Sequence, residues 1–207
     1  MLATSSEQHV HTNLLDSFAE KRTIVYAGTL ESYQGIDILI SAFKYVADAA
    51  PDTILLIVGG TEAQVKYYSS LADECGIGRA CIFTGRVPQF VAKYYASRAD
   101  VQISSRVSGT NTPLKVYEQL SRSIPLVATN IYSHTQVLND EVAFLVEPQP
   151  QDMAQGILAA LDPDGEGRQK AANAQALYEQ KYSRKVYTEK MKNLFSYVLG
   201  SEANPHE

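Results

Sequence analysis

The chain has 207 residues, of which 45% are hydrophobic and 20% charged, enough for one domain with a full core. A net charge of −5, with the basic residues scattered, excludes a general nucleic-acid binder, so an anionic ligand has to be held locally. Cys75 and Cys81 fit neither a disulfide framework nor a zinc spacing and are read as small buried hydrophobes in a reducing compartment. No apolar run reaches the ~18 residues of a membrane span and the N-terminus lacks a signal peptide's apolar core. A cytoplasmic location is expected, with contact at the inner face of a membrane left open.

Residues 1–22 are polar and aperiodic and are expected to form a linker or tail. From there short apolar runs predict strands at 23–27, 54–58, 81–84, 101–103, 126–129 and 143–146. Between them helical patterns fall at 36–49, 64–75, 90–97, 113–121, a short turn near 135–138, and 151–161. This alternation predicts an α/β fold, a Rossmann-like parallel six-stranded sheet with helices on both faces. The Asp-Pro-Asp-Gly-Glu-Gly stretch from Asp162 ends the strand signals, and C-terminal helices follow at 168–181 and 184–199. In the last, Val186, Met191, Leu194, Phe195 and Val198 fall near helical spacing, which predicts one buried face. The domain therefore spans 23–199, with a tail at 200–207.

Residues 104–129 join a strand end, a loop, a helix start and another strand, and carry the densest chemistry in the chain. Gly109 gives the backbone room to turn, and Thr112 followed by Pro113 reads as an N-cap with proline at the first helical position. The helix amides and Lys115 in the first turn would suit an anion such as a phosphate. Glu118, three residues on and nearly on the same face, can accept hydrogen bonds from sugar hydroxyls. Each element alone has a bland role: a turn, a cap, an exposed Lys115–Glu118 pair worth a few tenths of a kcal/mol, roughly. Together, at the carboxyl end of a central strand, they point to a ligand. His134, in the loop after the fifth strand, reads as a solvated loop histidine.

The order of motifs resembles the C-terminal, donor-binding domain of the retaining glycosyltransferases of GT-B fold, family 4 or group 1. The resemblance rests on Tyr-Ala-Gly-Thr-Leu-Glu-Ser-Tyr-Gln-Gly-Ile-Asp (26–37), Leu-Leu-Ile-Val-Gly-Gly (55–60), Ile-Phe-Thr-Gly-Arg-Val (82–87), Tyr-Tyr-Ala-Ser-Arg-Ala-Asp-Val (94–101), the 104–129 segment and Phe-Leu-Val-Glu-Pro (144–148). It implies one half of a GT-B fold that binds a nucleotide-sugar, with residues 184–199 as a helix crossing back to an N-terminal acceptor domain. Glu118 matches the second acid of the family's Glu-x7-Glu motif, which grips the donor ribose. Gly28 and Thr29 match the loop whose amides approach the diphosphate, and Gly85, Arg86 and Val87 the segment that meets the base. Gly109, Thr110, Asn111, Thr112 and Lys115 match a Gly-Thr-Gly-x-x-x-Lys-x-x-Glu subgroup in which the lysine contacts phosphate.

The departures are as specific. The first acid of Glu-x7-Glu falls at Thr110, and the arginine and lysine that commonly clamp the diphosphate fall at Thr29 and Gln34, leaving Lys115, Arg106 and the helix amides to supply positive potential. No residue is assigned a catalytic role and no metal or other cofactor is expected. About twenty residues precede the first strand, so the acceptor domain is expected in a longer protein or a separate chain, and transfer by this chain alone is not expected. The alternative is a degenerate, non-catalytic module that binds a nucleotide or a protein partner through the same face.

Overall fold

A parallel sheet covered on both sides buries alternate residues against different layers, and the strands here divide in that way. In the computed structural model, which describes residues 20–201, β1 (Arg22–Ala27), β2 (Thr53–Val58), β3 (Cys81–Phe83), β4 (Val101–Ser104), β5 (Leu126–Thr129) and β6 (Phe144–Val146) pair in parallel. Their order is β3-β2-β1-β4-β5-β6. Ile24, Tyr26, Leu55, Ile57, Val101, Ile103 and Val127 face one layer, with α1 (Ile36–Ala49), α2 (Glu62–Glu74) and α6 (Pro150–Leu161). Val25, Leu56 and Val58 face the other, with α3 (Gln89–Ser97), and Leu126 and Ala128 pack there on α4 (Leu114–Leu120) and α7 (Gly167–Lys181). Strand order reverses after β3, and right-handed crossovers then carry α3 and α4 to the face opposite α1 and α2. The predicted Rossmann-like six-stranded sheet is the observed fold.

Helix α1 shows why the assignments held: Ile36, Leu39, Ile40, Phe43 and Val46 recur at helical spacing and are all fully buried. The start of α2 lies two residues ahead of its expected position, because Gln64 is the third residue of a capping box. Its backbone amide donates to Thr61 Oγ1 (3.3 Å) and its side chain accepts from the Thr61 amide (2.9 Å). The short helix after β5, α5 (Tyr132–Thr135), sits earlier than expected because the chain turns directly out of the strand at Ile131. Cys81 lies buried in β3, where desolvation pushes its thiol up to about 12, in keeping with an inert hydrophobe. Cys75, at the C-cap of α2, is half-buried.

At the ends, Arg22 belongs to β1 and pairs with Asp52 (2.7 Å), so the strand begins one residue before the expected boundary. The rest of the expected leading segment, up to residue 19, and the tail from 202 lie outside the described residues. The last helix, α8 (Arg184–Ser201), contacts α7. Its expected buried face is corrected: Val186 and Met191 are half-covered, but Leu194, Phe195, Tyr197 and Val198 are exposed, because most of the helix runs past the layer it would pack on. Among the described residues no helix is long and apolar enough to cross a membrane.

The turn from α4 into β5 holds Ser123 at φ 54°, a left-handed conformation that costs an L-residue about 1 kcal/mol or more. Ser123→Gly is expected to raise stability by about 0.5–1 kcal/mol, after the larger unfolded-state entropy of glycine, as read by urea denaturation.

Candidate functional site

The strand order turns back between β1 and β4, which leaves a crevice between the loops at their carboxyl ends. Its floor is the glycine-bearing edge of the sheet. The Gly28 amide donates to the Val58 carbonyl (3.0 Å) and the Gly59 amide to the Gly85 carbonyl (3.0 Å). Gly59 has φ 119°, and a Cβ there would meet the Gly28 carbonyl oxygen at 2.1 Å, so the β1 and β2 loops approach this closely only with glycine.

Two lobes open from this edge, and Gly28 and Ala92 line both. One, about 210 Å3, runs between α3 and α4 over Gln102, and its walls include Lys93, Lys115, Glu118 and Arg122. The other, about 280 Å3, lies over the ends of β2 and β3, and its walls include Thr29, Gly60, Gln64, Arg86 and Val87. The structure thus brings Gly28, Lys115 and Glu118 together, and sets Thr29, Arg86 and Val87 beside them. Thr29 and Arg86 are exposed.

Lys115 extends from the first turn of α4 back over β1. Its Nζ lies 4.3 Å from the centroid of the Tyr26 ring and donates to Gln34 Oε1 (3.4 Å). A Cβ built on Gly28 would be 3.6 Å from that Nζ, so the ammonium stands against the β1 loop backbone. Burial, followed by the Arg106 charge, lowers the Lys115 pKa to about 7. Gln34 is not an ordinary turn residue. It is buried in the 3-10 turn Ser32–Gln34, its carbonyl accepts from Ser105 Oγ (2.7 Å), and its Oε1 also lies 3.2 Å from the Tyr26 hydroxyl. That hydroxyl donates to the Thr29 carbonyl (2.7 Å), which fixes the loop after β1 from beneath.

Glu118 does not pair with Lys115. Its Oε2 accepts from Arg122 Nη2 (3.2 Å), one turn on, and its Oε1 lies 3.5 Å from Lys93 Nζ on α3. The N-terminus of α4 also differs from expectation. Pro113 is the N-cap, with ψ 135°, no side chain caps the helix, and Thr112 lies in the loop before it. Extended geometry at Pro113 is what displaces Thr112 by one position.

The β4–α4 loop is stapled from within. Arg106 Nε donates to the Ser108 carbonyl (2.6 Å), Arg106 Nη1 to that of Asn111 (3.3 Å), and the guanidinium lies 5.3 Å from the Tyr33 ring centroid. Gly109, at φ 136°, makes room for it: a Cβ there would be 2.2 Å from Arg106 Nη2. The Thr110 carbonyl accepts from Gln136 Nε2 (2.7 Å). Gly109, Thr110, Asn111 and Thr112 line neither lobe, and Arg106 acts on the site through its charge.

His134 is fully buried, contrary to its reading as a solvated loop residue. Its Nδ1 lies 2.9 Å from the Thr129 carbonyl oxygen, which only accepts, so Nδ1 carries the proton. Nε2 then accepts from Ser104 Oγ (2.9 Å). Thr129 Oγ1 donates to the Arg106 carbonyl, so this cluster fastens the root of the loop. Sequence reading also missed Tyr26, Gln102, Lys93 and Arg122. Gln102 was visible as the one polar residue within Val-Gln-Ile, and Arg122 as a cation four residues after Glu118.

Residues 12–177 match the family model described as glycosyl transferases group 1. A phosphatidyl-myo-inositol mannosyltransferase of Mycobacterium tuberculosis is 26% identical over 198 residues, covering 91% of this chain and 51% of that protein. The structure of HepE from Anabaena in complex with UDP and glucose has TM-score 0.77 at 18% identity, covering 94% of this chain and 53% of that one. The C-terminal domain of LpcC, a glycosyl transferase group 1 family protein from Francisella tularensis, has TM-score 0.68 at 19% identity, over 79% of this chain and 87% of that one. The chain spans between about a third and a half of the length of the curated relatives it matches.

Proposed function

This chain belongs to the glycosyl transferases group 1 family, and from that premise we propose that it is the donor-binding half of a retaining glycosyltransferase that takes a nucleotide-sugar. Its sheet is a C-terminal-type domain of the GT-B fold. The observation that carries the proposal is the placing of Lys115 and Glu118 in the walls of one lobe, floored by Gly28 at the reversal of strand order. The carboxylate suits ribose hydroxyls, and the ammonium and adjoining backbone suit the diphosphate. The backbone of Gly85, Arg86 and Val87 would meet the base. In transfer the bond from the anomeric carbon to the phosphate oxygen breaks with its electron pair on the diphosphate, and a cation beside that oxygen lowers the barrier. Lys115 is that cation here, held by Gln34 and standing in for the clamp absent at Thr29 and Gln34. The acceptor is carried by a further N-terminal domain or a separate chain, and the exposed apolar side of α8 is the surface such a domain would cover. The neighbouring HepE structure with UDP supports a uridine donor class as the first to test.

A second reading, a degenerate module, draws on Arg106, whose guanidinium is bonded within its own loop. Calorimetric titration of the chain with UDP, GDP and ADP separates the two. Selective binding is expected, weakened in Glu118→Ala by about 1.5–3 kcal/mol, the scale of a charged hydrogen bond. A folded chain that binds none of the three would overturn the donor-site reading.

A further inference from the structure

Glu118 is half-exposed and stands on a seven-residue helix, so something besides the helix has to hold its carboxylate in one orientation if it is to grip a ligand. The side chains beneath it do so. Gln102 is buried in β4, and its Nε2 donates to the Gln119 carbonyl (3.2 Å) and the Ile124 carbonyl (3.3 Å). Both amide hydrogens are thereby directed, which fixes Gln102 Oε1 as the acceptor facing the crevice. That oxygen accepts from Arg122 Nη1 (3.3 Å), and Nη2 of the same guanidinium donates to Glu118 Oε2 (3.2 Å). The planar fork links a buried strand residue to one carboxylate oxygen. Oε1 is left toward the lobe, faced by Lys93, whose side chain is 52% exposed against 16% for Arg122.

We propose that Arg122 is the positioning residue of the nucleotide site: anchored on Gln102, it orients Glu118 so that Oε1 receives the ribose hydroxyls, while the solvent-facing Lys93 is the contact that a ligand displaces. This rests on the donor-site reading above. It assigns the two cations opposite roles, since Arg122 supports binding and Lys93 competes with it. A mere surface ion pair at i, i+4 would give neither effect.

The test is calorimetric titration of the whole chain with UDP, GDP and ADP and with their 2′,3′-dideoxy counterparts, for wild type, Arg122→Ala, Arg122→Lys, Lys93→Ala and Glu118→Gln. Wild type is expected to prefer the ribose form. Arg122→Ala is expected to lose about fivefold to tenfold in affinity for the ribose nucleotide, with the ratio of ribose to dideoxy affinity falling toward one and little further loss on adding Glu118→Gln. Arg122→Lys should fall between, because an ammonium cannot reproduce the fork. Lys93→Ala should bind the ribose nucleotide more tightly, and unchanged or weaker binding there would overturn the competing role of Lys93. If wild type prefers ribose and Arg122→Ala keeps that preference, or binds more tightly, the positioning role is overturned while the donor site stands. If wild type binds no nucleotide, both fall together. Should Arg122→Ala fail to fold by circular dichroism, Arg122→Lys carries the comparison, and an undiminished ribose preference there overturns the role.

Discussion

Replacing His134 by alanine should lower stability by about 3 kcal/mol and remove most of the chain's acid sensitivity above pH 4. The imidazole is fully buried and joins the ends of β4 and β5 to α5 through Ser104 and Thr129. Truncation would leave both the Ser104 hydroxyl and the Thr129 carbonyl without their imidazole partner, in addition to a cavity. Desolvation, only partly offset by the Thr129 hydrogen bond, lowers the histidine pKa to about 4, with the Lys115 and Arg106 charges acting in the same direction as burial. Between about pH 6.5 and 4 the unfolded chain therefore binds a proton that the folded chain refuses. Stability is fully present above 6.5 and is lost as pH falls through that window, by up to about 1.4 kcal/mol per unit. His134→Gln, which keeps polar atoms in the pocket without a titrating group, should flatten that slope even where it costs stability at neutral pH. Urea denaturation at pH 7.5, 6, 5 and 4.5 reads both effects. An unchanged slope in His134→Gln would show that other groups set the acid limit.

What the sequence disclosed and what it withheld divide along one physical line. Strand and helix positions follow from periodicity, which is local: Leu55, Leu56 and Ile57 alternate between layers whatever lies around them. That Glu118 and Lys115 share one wall of the crevice was legible because they fall in one helix start after a central strand. Their partners were not. Whether Lys115 turns toward Glu118 or back over Tyr26, and whether Glu118 meets Lys93 across the crevice, depends on the spacing of α3, α4 and β1, which no local pattern encodes. His134 was read as solvated for the same reason, since its cover comes from residues up to thirty positions away. Arg106 shows a subtler limit. Its charge was legible, but the bonds of its guanidinium to the Ser108 and Asn111 carbonyls, and the space that Gly109 leaves for it, were not. The face of α8 errs in the opposite sense: an apolar stripe at helical spacing predicts a covered face, yet Leu194, Phe195 and Val198 lie exposed, because periodicity does not encode what packs against a helix.

Lys115→Met should make the unliganded protein more stable at pH 7 and weaken nucleoside diphosphate binding by about 2 kcal/mol, roughly thirtyfold. The two effects have one cause. An ammonium whose pKa is lowered to about 7 is held against its solvation preference, by burial first and the Arg106 charge second. Methionine keeps the length and lays a thioether on the Tyr26 ring with no desolvated charge. Because the folded pKa lies below the unfolded value of 10.5, the unfolded chain carries the extra proton between about pH 7 and 10.5. Wild-type stability therefore rises with pH across that window, by up to about 1.4 kcal/mol per unit, and the penalty is complete below it. Lys115→Met should lack that rise. Binding runs the other way: a diphosphate favours the ammonium and raises its pKa, so affinity is greatest below pH 7 and falls above it as a proton has to be recovered, by up to about tenfold per unit. In Lys115→Met the affinity should be low and nearly independent of pH from 7 to 9. Calorimetry at pH 6.5, 7.5 and 8.5 in buffers of different ionisation enthalpy measures the proton uptake directly. Uptake in wild type that vanishes in Lys115→Met would place the lysine on the phosphate, whereas equal affinity and equal uptake in both would remove it from the site.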